Sequence, residues 1–262
     1  MKKHTILTVL GIILFSIGYI AAFAFNLIAV WTDLEGMSFW GYPEVTSYDR
    51  TIEGDVKVGF LNCPVMITSL DQGTATYALK NQRDFVTKPV VQLHTSQPLE
   101  FDGIVRESLQ ITFLPKEQKT FTTSFNKENK LPNNKIFIRI FLRQGLGQPP
   151  YATKHCGIIF FENGTFTGKQ IAVILISLST FIMLLGVILH LVDRRKCLNS
   201  DNKILLVLTS MGLLVLLSFI LNAAGSWLLS SLILLLSFLA ILSILESRLL
   251  RPINSARGLL DE

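Results

Sequence analysis

The sequence has little of what enzymes use for chemistry. It contains four histidines among 262 residues. No Gly-x-Ser-x-Gly segment and no His-Glu-x-x-His segment occurs, so the signatures of α/β-hydrolases and zinc metalloproteases are both missing. Gly145 and Gly147 are followed by Gln-Pro-Pro rather than by a helix, which excludes a phosphate-binding loop. The sequence therefore predicts no catalytic residue, no cofactor and no metal site, and we expect a protein that is not an enzyme.

Charged residues are absent from four long apolar runs. The runs cover residues 6–30, 171–192, 204–224 and 228–245. A helix needs about 20 apolar residues to cross the hydrocarbon core of a bilayer. Each run is long enough, so the pattern predicts four transmembrane helices, one before and three after a polar block. Residues 21–24 resemble a signal-peptide cleavage site, but the apolar run continues to Val30, which favours an uncleaved anchor.

Basic residues collect before the first apolar run, between the second and third runs, and after the fourth. If all four runs cross the membrane, these three segments lie on the same side of it. The basic residues are Lys2, Lys3, Arg194, Arg195, Lys196, Lys203, Arg248, Arg251 and Arg257. The positive-inside rule then predicts that the N- and C-termini are cytoplasmic and that the polar block is extracytoplasmic. We expect the protein to lie in the plasma membrane. That block, residues 32–168, has 14 basic and 14 acidic residues. The net charge of +5 is thus explained by basic residues that flank membrane helices, where they meet anionic lipid headgroups. We expect membrane lipids as partners and no binding to nucleic acid.

These patterns define the expected domain organisation. It comprises a short N-terminus with the first helix (1–31), a juxtamembrane connector (32–54), an extracytoplasmic β domain (55–168), a second helix (169–193), a cytoplasmic loop (194–203), a helical hairpin (204–246) and a cytoplasmic tail (247–262). The connector region is aromatic, with Trp31, Phe39, Trp40 and Tyr42. Such rings are typical of the headgroup level of a membrane, although a short interfacial helix or a docking surface for a partner is also compatible.

The polar block shows the two-residue period of half-buried strands. Val56, Val58 and Phe60 alternate with other residues, and Ile136 to Leu142 repeats the pattern. Turn-forming residues separate these segments, as at Lys88-Pro89, Gln97-Pro98 and 129–134. We expect seven or eight short strands in an antiparallel β-sandwich.

This pattern resembles the immunoglobulin and fibronectin-type sandwiches. Residues 74–81 read as a strand that runs into a loop, and residues 114–121 as a turn between two strands. The resemblance implies an immunoglobulin-like fold for the block. The tryptophan of an antibody-like core is missing, because Trp40 precedes the strands. Sandwiches of this kind carry many functions, so the fold alone predicts none.

Three cysteines divide between the two sides of the membrane. Cys63 and Cys156 belong to the extracytoplasmic block, where disulfides persist. A bond between them would close a loop of about 90 residues, worth about 4 to 5 kcal/mol in the chain-entropy treatment. Two buried thiols are the alternative. Cys197 lies on the cytoplasmic side among basic residues and is expected to be an ordinary thiol.

Two further site types can be weighed from the sequence. His94, His155, Cys63, Cys156 and Met66 offer copper-binding atoms. A blue-copper site, however, needs two histidines and a cysteine, and no histidine closely follows either cysteine, so the spacing fails. Asn163-Gly-Thr165 fits the glycosylation acceptor pattern, and Asn-Gly is equally typical of a tight turn.

Serines recur in the last apolar run. Ser230, Ser237 and Ser243 lie six or seven residues apart and predict a helix-packing seam facing another helix. The apolar runs have no ionisable residue at mid-depth, whereas transporters usually place such residues there.

The sequence thus favours a non-enzymatic membrane protein whose β domain binds or positions a protein partner, as accessory subunit, assembly factor or surface scaffold. A component of a transporter or channel complex is the alternative. A membrane enzyme acting on lipid or envelope substrates is a third possibility. Its carboxylates would be Asp33, Glu35, Asp49, Glu53 and Asp55.

Overall fold

The computed structural model describes residues 2–40, 50–51, 54–98, 103–145, 150–194 and 202–257, with side chains in 6–40, 54–98, 103–145, 150–192 and 207–242. The chain divides into two compact units. The helical unit comprises Met1–Leu27, Leu178–Ile220 and Leu228–Glu262, and the β unit comprises Ile28–Ser177 and Leu221–Trp227.

Among the described residues, four helices occupy the predicted apolar runs. They are α1 (Lys2–Phe39), α2 (Gly168–Arg194), α3 (Asn202–Ala223) and α4 (Trp227–Arg257). Two of them, α1 from Ile6 and α2 as far as Val192, are long and apolar enough to cross a membrane. The apolar parts of α3 and α4 with described side chains, Val207–Ala223 and Trp227–Leu242, are shorter than the about 20 residues of a full crossing. Helix α4 also extends into the segment predicted as a tail.

Local hydrogen bonds define where the later helices begin and end. At the start of α2, the Thr167 hydroxyl accepts from the Gln170 N–H at 3.2 Å, and the Gln170 side chain accepts from the Thr167 N–H at 2.9 Å. This is a capping box. Helix α3 ends in a Schellman motif, with Gly225 at positive φ and a bond of 2.8 Å from the Ser226 N–H to the Leu221 carbonyl.

In the part of the β unit that the structure describes, nine strands form two sheets. They are β1 (Arg50–Thr51), β2 (Val56–Asn62), β3 (Met66–Thr68), β4 (Gly73–Asn81), β5 (Val90–Ser96), β6 (Ile104–Gln110), β7 (Gln118–Phe125), β8 (Lys135–Arg143) and β9 (Ala152–Phe161). The larger sheet has the order β1-β9-β8-β5-β6, and β3 joins it beside β9; the smaller sheet has the order β2-β4-β7. The pairing is antiparallel except between β3 and β9, which run parallel.

The two sheets pack face to face around one core. From the larger sheet, Ile136, Ile138, Ile140 and Leu142 of β8 are fully buried, as the two-residue period predicts. The smaller sheet contributes Ala75, Tyr77 and Leu79 of β4.

The alternation assigned to β2 is wrong after Val58. A register shift lies between Val58 and Phe60, so that Leu61 enters the core while Phe60 is 39% exposed. A bulge adds one residue to a strand, and the side chains beyond it change face.

Helix α1 does not end with its apolar run. It continues to Phe39, whereas the sequence placed a connector from residue 32. The last turns pack on the outer face of the larger sheet, where the Phe39 ring lies 5.1 Å from the Phe137 ring. Phe39 and Trp40 thus pack against protein, and Tyr42 lies outside the described residues. Strand β8 is consequently buried on both faces.

Candidate functional site

The edges of the two sheets come together on one side of the β unit and leave an open groove. Strand β6 ends the larger sheet and β7 ends the smaller one. The groove has a volume of about 360 Å³. Its lining residues are Tyr77, Val91, Leu93, Glu107, Ser108, Leu109, Phe121, Thr122 and Thr123. The volume is within the range of ligand-binding clefts, so the groove is a candidate site of this domain.

Strand register determines which side chains face the groove. Leu93 of β5 is opposite Glu107 of β6, and Tyr77 of β4 is opposite Phe121 of β7. Residues directly opposite in an antiparallel pair share one face of the sheet. Because Leu93 and Tyr77 belong to the core, Glu107 and Phe121 also point toward the space between the sheets. The groove is therefore an extension of the core that the two edge strands leave uncovered.

The groove has an apolar floor and one charged group. The Phe121 and Tyr77 rings stack with centroids 5.4 Å apart, and Leu109 leaves 58% of its surface exposed although it faces inward. Burial raises the pKa of Tyr77, and the negative charge of Glu107 raises it further. The carboxylate is thus close enough to the phenol to influence it. No described basic side chain forms an ion pair with Glu107.

A second cavity in the β unit lies beside the disulfide and is much smaller. It has a volume of about 20 Å³, room for about one water molecule. Asp33 and His155 line it. The His155 Nε2–H donates to the Asp33 carbonyl at 3.2 Å, and the Trp227 ring lies 5.6 Å from the imidazole. The size of this cavity favours a structural role over substrate binding.

A cation is buried between aromatic rings where α1 meets the larger sheet. The Arg139 guanidinium carbon lies 4.8 Å from the ring centroids of both Trp40 and Phe141. The His94 ring packs edge-on against Phe141 at 4.4 Å. Cation–π contacts of this kind strengthen when they are shielded from water. The His94 ring also lies 6.1 Å from the Trp40 ring. His94 and Arg139 therefore both pack against Trp40, the residue that follows α1.

The structure places the cysteine and copper-candidate residues in different surroundings. Cys63 and Cys156 are joined in a disulfide with the sulfur atoms 1.98 Å apart. His155 precedes Cys156 on β9 but is turned toward α1, and Met66 lies in β3. Within the described residues, no group of three or more His, Cys, Asp or Glu is arranged to hold a metal ion. Cys197 lies outside them.

Asn163 lies in the loop between β9 and α2. Its side-chain oxygen accepts hydrogen bonds from the Thr165 N–H at 2.6 Å and the Phe166 N–H at 3.3 Å. This is a local turn stabilised by an asparagine side chain. The side-chain nitrogen, which would carry a glycan, is not used in these bonds.

The carboxylates considered for acid–base chemistry have separate structural partners. Asp33 binds the Gly157 N–H, Glu35 pairs with Lys135 and accepts from the Trp31 indole, and Asp55 pairs with Arg83. Asp49 and Glu53 lie outside the described residues. The structure therefore does not bring the carboxylates of Asp33, Glu35 and Asp55 together in one site.

Serine side chains connect helices within the helical unit. Ser230 of α4 is fully buried, and its hydroxyl lies 2.8 Å from that of Ser218 on α3. Ser237 is also fully buried and hydrogen-bonds to the Tyr19 hydroxyl of α1. Ser243 has no described side chain. Each of the two described serines thus has a partner on a different helix.

Sequence reasoning missed Asn26 in the first apolar run. Its amide donates to the Ala22 carbonyl at 3.0 Å and to the Val215 carbonyl of α3 at 3.3 Å. An amide within an apolar helix is a visible sequence signal, because it needs an internal partner. The groove also had a signal, since Glu107 has the same parity as Leu109, Ile111 and Phe113.

Comparison with known proteins does not assign the chain to a family. No protein-family model matches it, and no curated protein sequence matches it. A CARDB domain from Pyrococcus furiosus is similar over 42% of this chain and 94% of its own, at 10% identity and a TM-score of 0.34. The C-terminal domain of wzt is similar over 44% of this chain and 78% of its own, at 10% identity and a TM-score of 0.33.

An enzyme also resembles part of the chain. A β-glucosidase from Listeria innocua is similar over 40% of this chain but only 16% of its own, at 16% identity and a TM-score of 0.28. Likenesses this weak transfer no activity, ligand or partner.

Proposed function

We propose that this chain is a non-enzymatic integral membrane protein whose extracytoplasmic β domain binds or positions a protein partner. The observation that carries the proposal is the open groove between β6 and β7, with its apolar floor and exposed Leu109. Exposed apolar surface next to polar residues is typical of protein-interaction sites. Accessory subunit, assembly factor and surface scaffold are the roles that such a site serves.

The proposed topology has four crossings, with both termini in the cytoplasm and an immunoglobulin-like β domain outside. Two membrane-length helices and two shorter apolar helices support it. The basic residues around the helices support the orientation. The Cys63–Cys156 disulfide agrees with an oxidising compartment. The plasma membrane is the location we propose.

Cysteine labelling in intact cells tests the topology. A membrane-impermeant maleimide should label an Asn133→Cys variant, because residue 133 is exposed in the β unit. The natural Cys197 should react only after the cells are permeabilised. Labelling of Cys197 in intact cells, together with protection of residue 133, would reverse the proposed orientation.

Photocrosslinking in native membranes tests partner binding. A photoreactive amino acid is placed at Thr122 in the groove and, separately, at Phe85, which is 57% exposed on the loop after β4. A defined adduct with another protein from either position, reproduced by the reciprocal crosslink, supports the proposal. Absence of adducts from both positions, with monomeric protein in mild detergent, would remove its support.

A transporter or channel component is the second candidate, because Asn26 and the serines form a polar interior in the helical unit. Liposome flux that is lost when Ser230 and Ser237 are both changed to alanine would favour it. These polar groups bond mainly to one another and to backbone, which is the pattern of helix packing. We therefore rank partner binding first.

A further inference from the structure

The outer edge of β7 is a strand edge without the features that usually prevent pairing with another chain. Residues 120–125, Thr-Phe-Thr-Thr-Ser-Phe, contain no charge and no proline. All eight residues of β7 pair with β4 in an uninterrupted register. Natural proteins protect such edges with charges, prolines or bulges. Threonine and phenylalanine also favour strands, so β7 is suited to accept a further strand.

Two other edge strands, β2 of the smaller sheet and β6 of the larger sheet, differ from β7. Strand β2, at the opposite edge of the smaller sheet, has the bulge after Val58. Strand β6 has Arg106 and Glu107 at its centre, and Glu107 points inward. Bulges and inward-pointing charges both disfavour edge-to-edge association. Of the edge strands β2, β6 and β7, β7 is therefore the one best suited to pair with a strand of another chain.

The groove lies directly beside β7. A strand added to this edge would turn alternate side chains toward the exposed surfaces of Phe121 and Leu109. The same face would approach Glu107, the charged group in the groove lining. Apolar side chains fit this surface, and one basic side chain would complement the carboxylate.

We infer that an extended segment of the partner protein adds as a strand to β7, with alternate apolar side chains in the groove and one lysine or arginine near Glu107. This inference rests on the proposed partner-binding function and specifies its chemistry. Main-chain hydrogen bonds to the strand edge supply affinity in such complexes, and the side-chain pockets supply specificity.

The basic side chain expected near Glu107 distinguishes a partner segment from a second copy of this chain that pairs through its own β7. The basic residue on the inward face of β7 is Lys119, and its ammonium group is already engaged. It donates to the Thr112 carbonyl at 2.7 Å, pairs with Glu117 at 3.4 Å and lies 5.3 Å from the Phe113 ring centroid. A second β7 would therefore bring no available cation to Glu107.

A charge-swap experiment on the full-length protein in detergent tests the inference. The probes are peptides of about ten residues, alternating valine and threonine, in which a single lysine or a single glutamate is moved along the sequence. In the best register, the lysine peptide should bind wild type about fivefold more tightly than the glutamate peptide, as expected for a partly exposed ion pair. Glu107→Lys should reverse this preference. Glu128→Lys, the same charge change on an exposed residue away from the groove, should not.

The mode of binding needs a second readout. Amide hydrogen exchange should show new protection of residues 120–124 when the lysine peptide is bound, and none in β2. Failure of every peptide to bind, or an unchanged charge preference in Glu107→Lys, would overturn the inference. A concentration-dependent dimer crosslinked through Thr122→Cys would also overturn it and would identify a second copy as the occupant.

The crosslinking from the native membrane separates this inference from the proposed function. A partner adduct from Phe85 but not from Thr122 would leave the β domain as a partner-binding module and place the site away from β7. A heterologous adduct from Thr122 that is lost in Glu107→Lys and retained in Glu128→Lys would support both.

Discussion

The Gly157 N–H donates a hydrogen bond of 2.7 Å to the Asp33 carboxylate, which ties the end of α1 to the middle of β9. The two residues are also in close backbone contact, since a Cβ built on Gly157 would overlap the Thr32 carbonyl and lie 2.9 Å from the Asp33 nitrogen. Helix α1 can approach the sheet this closely because residue 157 has no side chain. The contact buries the outer face of β8 and β9.

Gly157→Ala should destabilise the protein by about 1–3 kcal/mol, because the new methyl group forces α1 away from the sheet. The melting temperature of the purified full-length protein should fall by about 2–4 °C for each kcal/mol. Gly164→Ala is the matched control, since no atom lies within 4 Å of a Cβ built there. Equal melting temperatures for wild type and Gly157→Ala would contradict this account of the contact.

Asp33→Ala should cost about 1–3 kcal/mol, because it leaves the part-buried Gly157 N–H without its acceptor. Asp33→Asn should cost less, since the amide oxygen can still accept. The double variant with Gly157→Ala should be less destabilised than the sum of the single variants, because both disrupt one contact. Strict additivity in this thermal-denaturation cycle would show that the two residues act independently.

Much of the β domain was predictable because its core follows a simple period. Ile136, Ile138, Ile140 and Leu142 alternate in sequence and are all fully buried. The period could not reveal that Phe137 and Arg139 on the other face are also buried. Their burial depends on α1, a helix about 100 residues away in the chain. Periodicity reports local structure, whereas coverage by a distant element is a tertiary property.

The candidate groove was less predictable than the core, for a related reason. The parity of Glu107 with Leu109 places it on the inward face, which is a local signal. That the sheets leave this side open depends on which strands are edges, and strand order is decided by long-range pairing. Phe60 shows that a local irregularity can also defeat the prediction, since one bulged residue reversed an otherwise regular alternation.

Tyr151→Phe should reduce the loss of stability at alkaline pH. Burial is the largest influence and raises the pKa of Tyr151 above its ordinary value of 10.0; a hydrogen bond with the Val56 backbone opposes this, and the Asp55 charge adds to it. The Tyr151 phenol therefore ionises near pH 10 in the unfolded chain, while in the folded chain it stays neutral at that pH. The free energy of unfolding should fall above pH 10 by up to about 1.4 kcal/mol per pH unit from this group.

The test is to compare chemical denaturation of wild type and Tyr151→Phe from pH 8 to above pH 10. The two curves should run parallel at pH 8 and diverge above the unfolded-state pKa of about 10, with the steeper decline in wild type. Curves that remain parallel throughout would show that Tyr151 ionises equally in both states.

The Cys63–Cys156 bond predicts a specific thiol count. Fully denatured protein should show one reactive thiol, that of Cys197, before reduction and three after it. Replacing both Cys63 and Cys156 by serine should lower stability by up to about 4.7 kcal/mol, the chain-entropy value for a loop of this length. Replacing Cys197 by serine is the control and should leave stability unchanged. Three thiols in the unreduced protein would contradict the disulfide.

Close packing of α1 on α2 in the helical unit predicts different effects for two glycine-to-alanine changes. A Cβ on Gly18 would lie 2.6 Å from the Ser179 carbonyl, whereas a Cβ on Gly212 of α3 would meet nothing nearer than 3.7 Å. Small residues allow membrane helices to approach closely, so Gly18→Ala should separate α1 from α2 and lower the melting temperature in detergent. Gly212→Ala should be neutral or stabilising by up to about 1 kcal/mol, since alanine is the better helix former. If both changes had the same effect, helix propensity rather than interhelical contact would govern the stability of this unit.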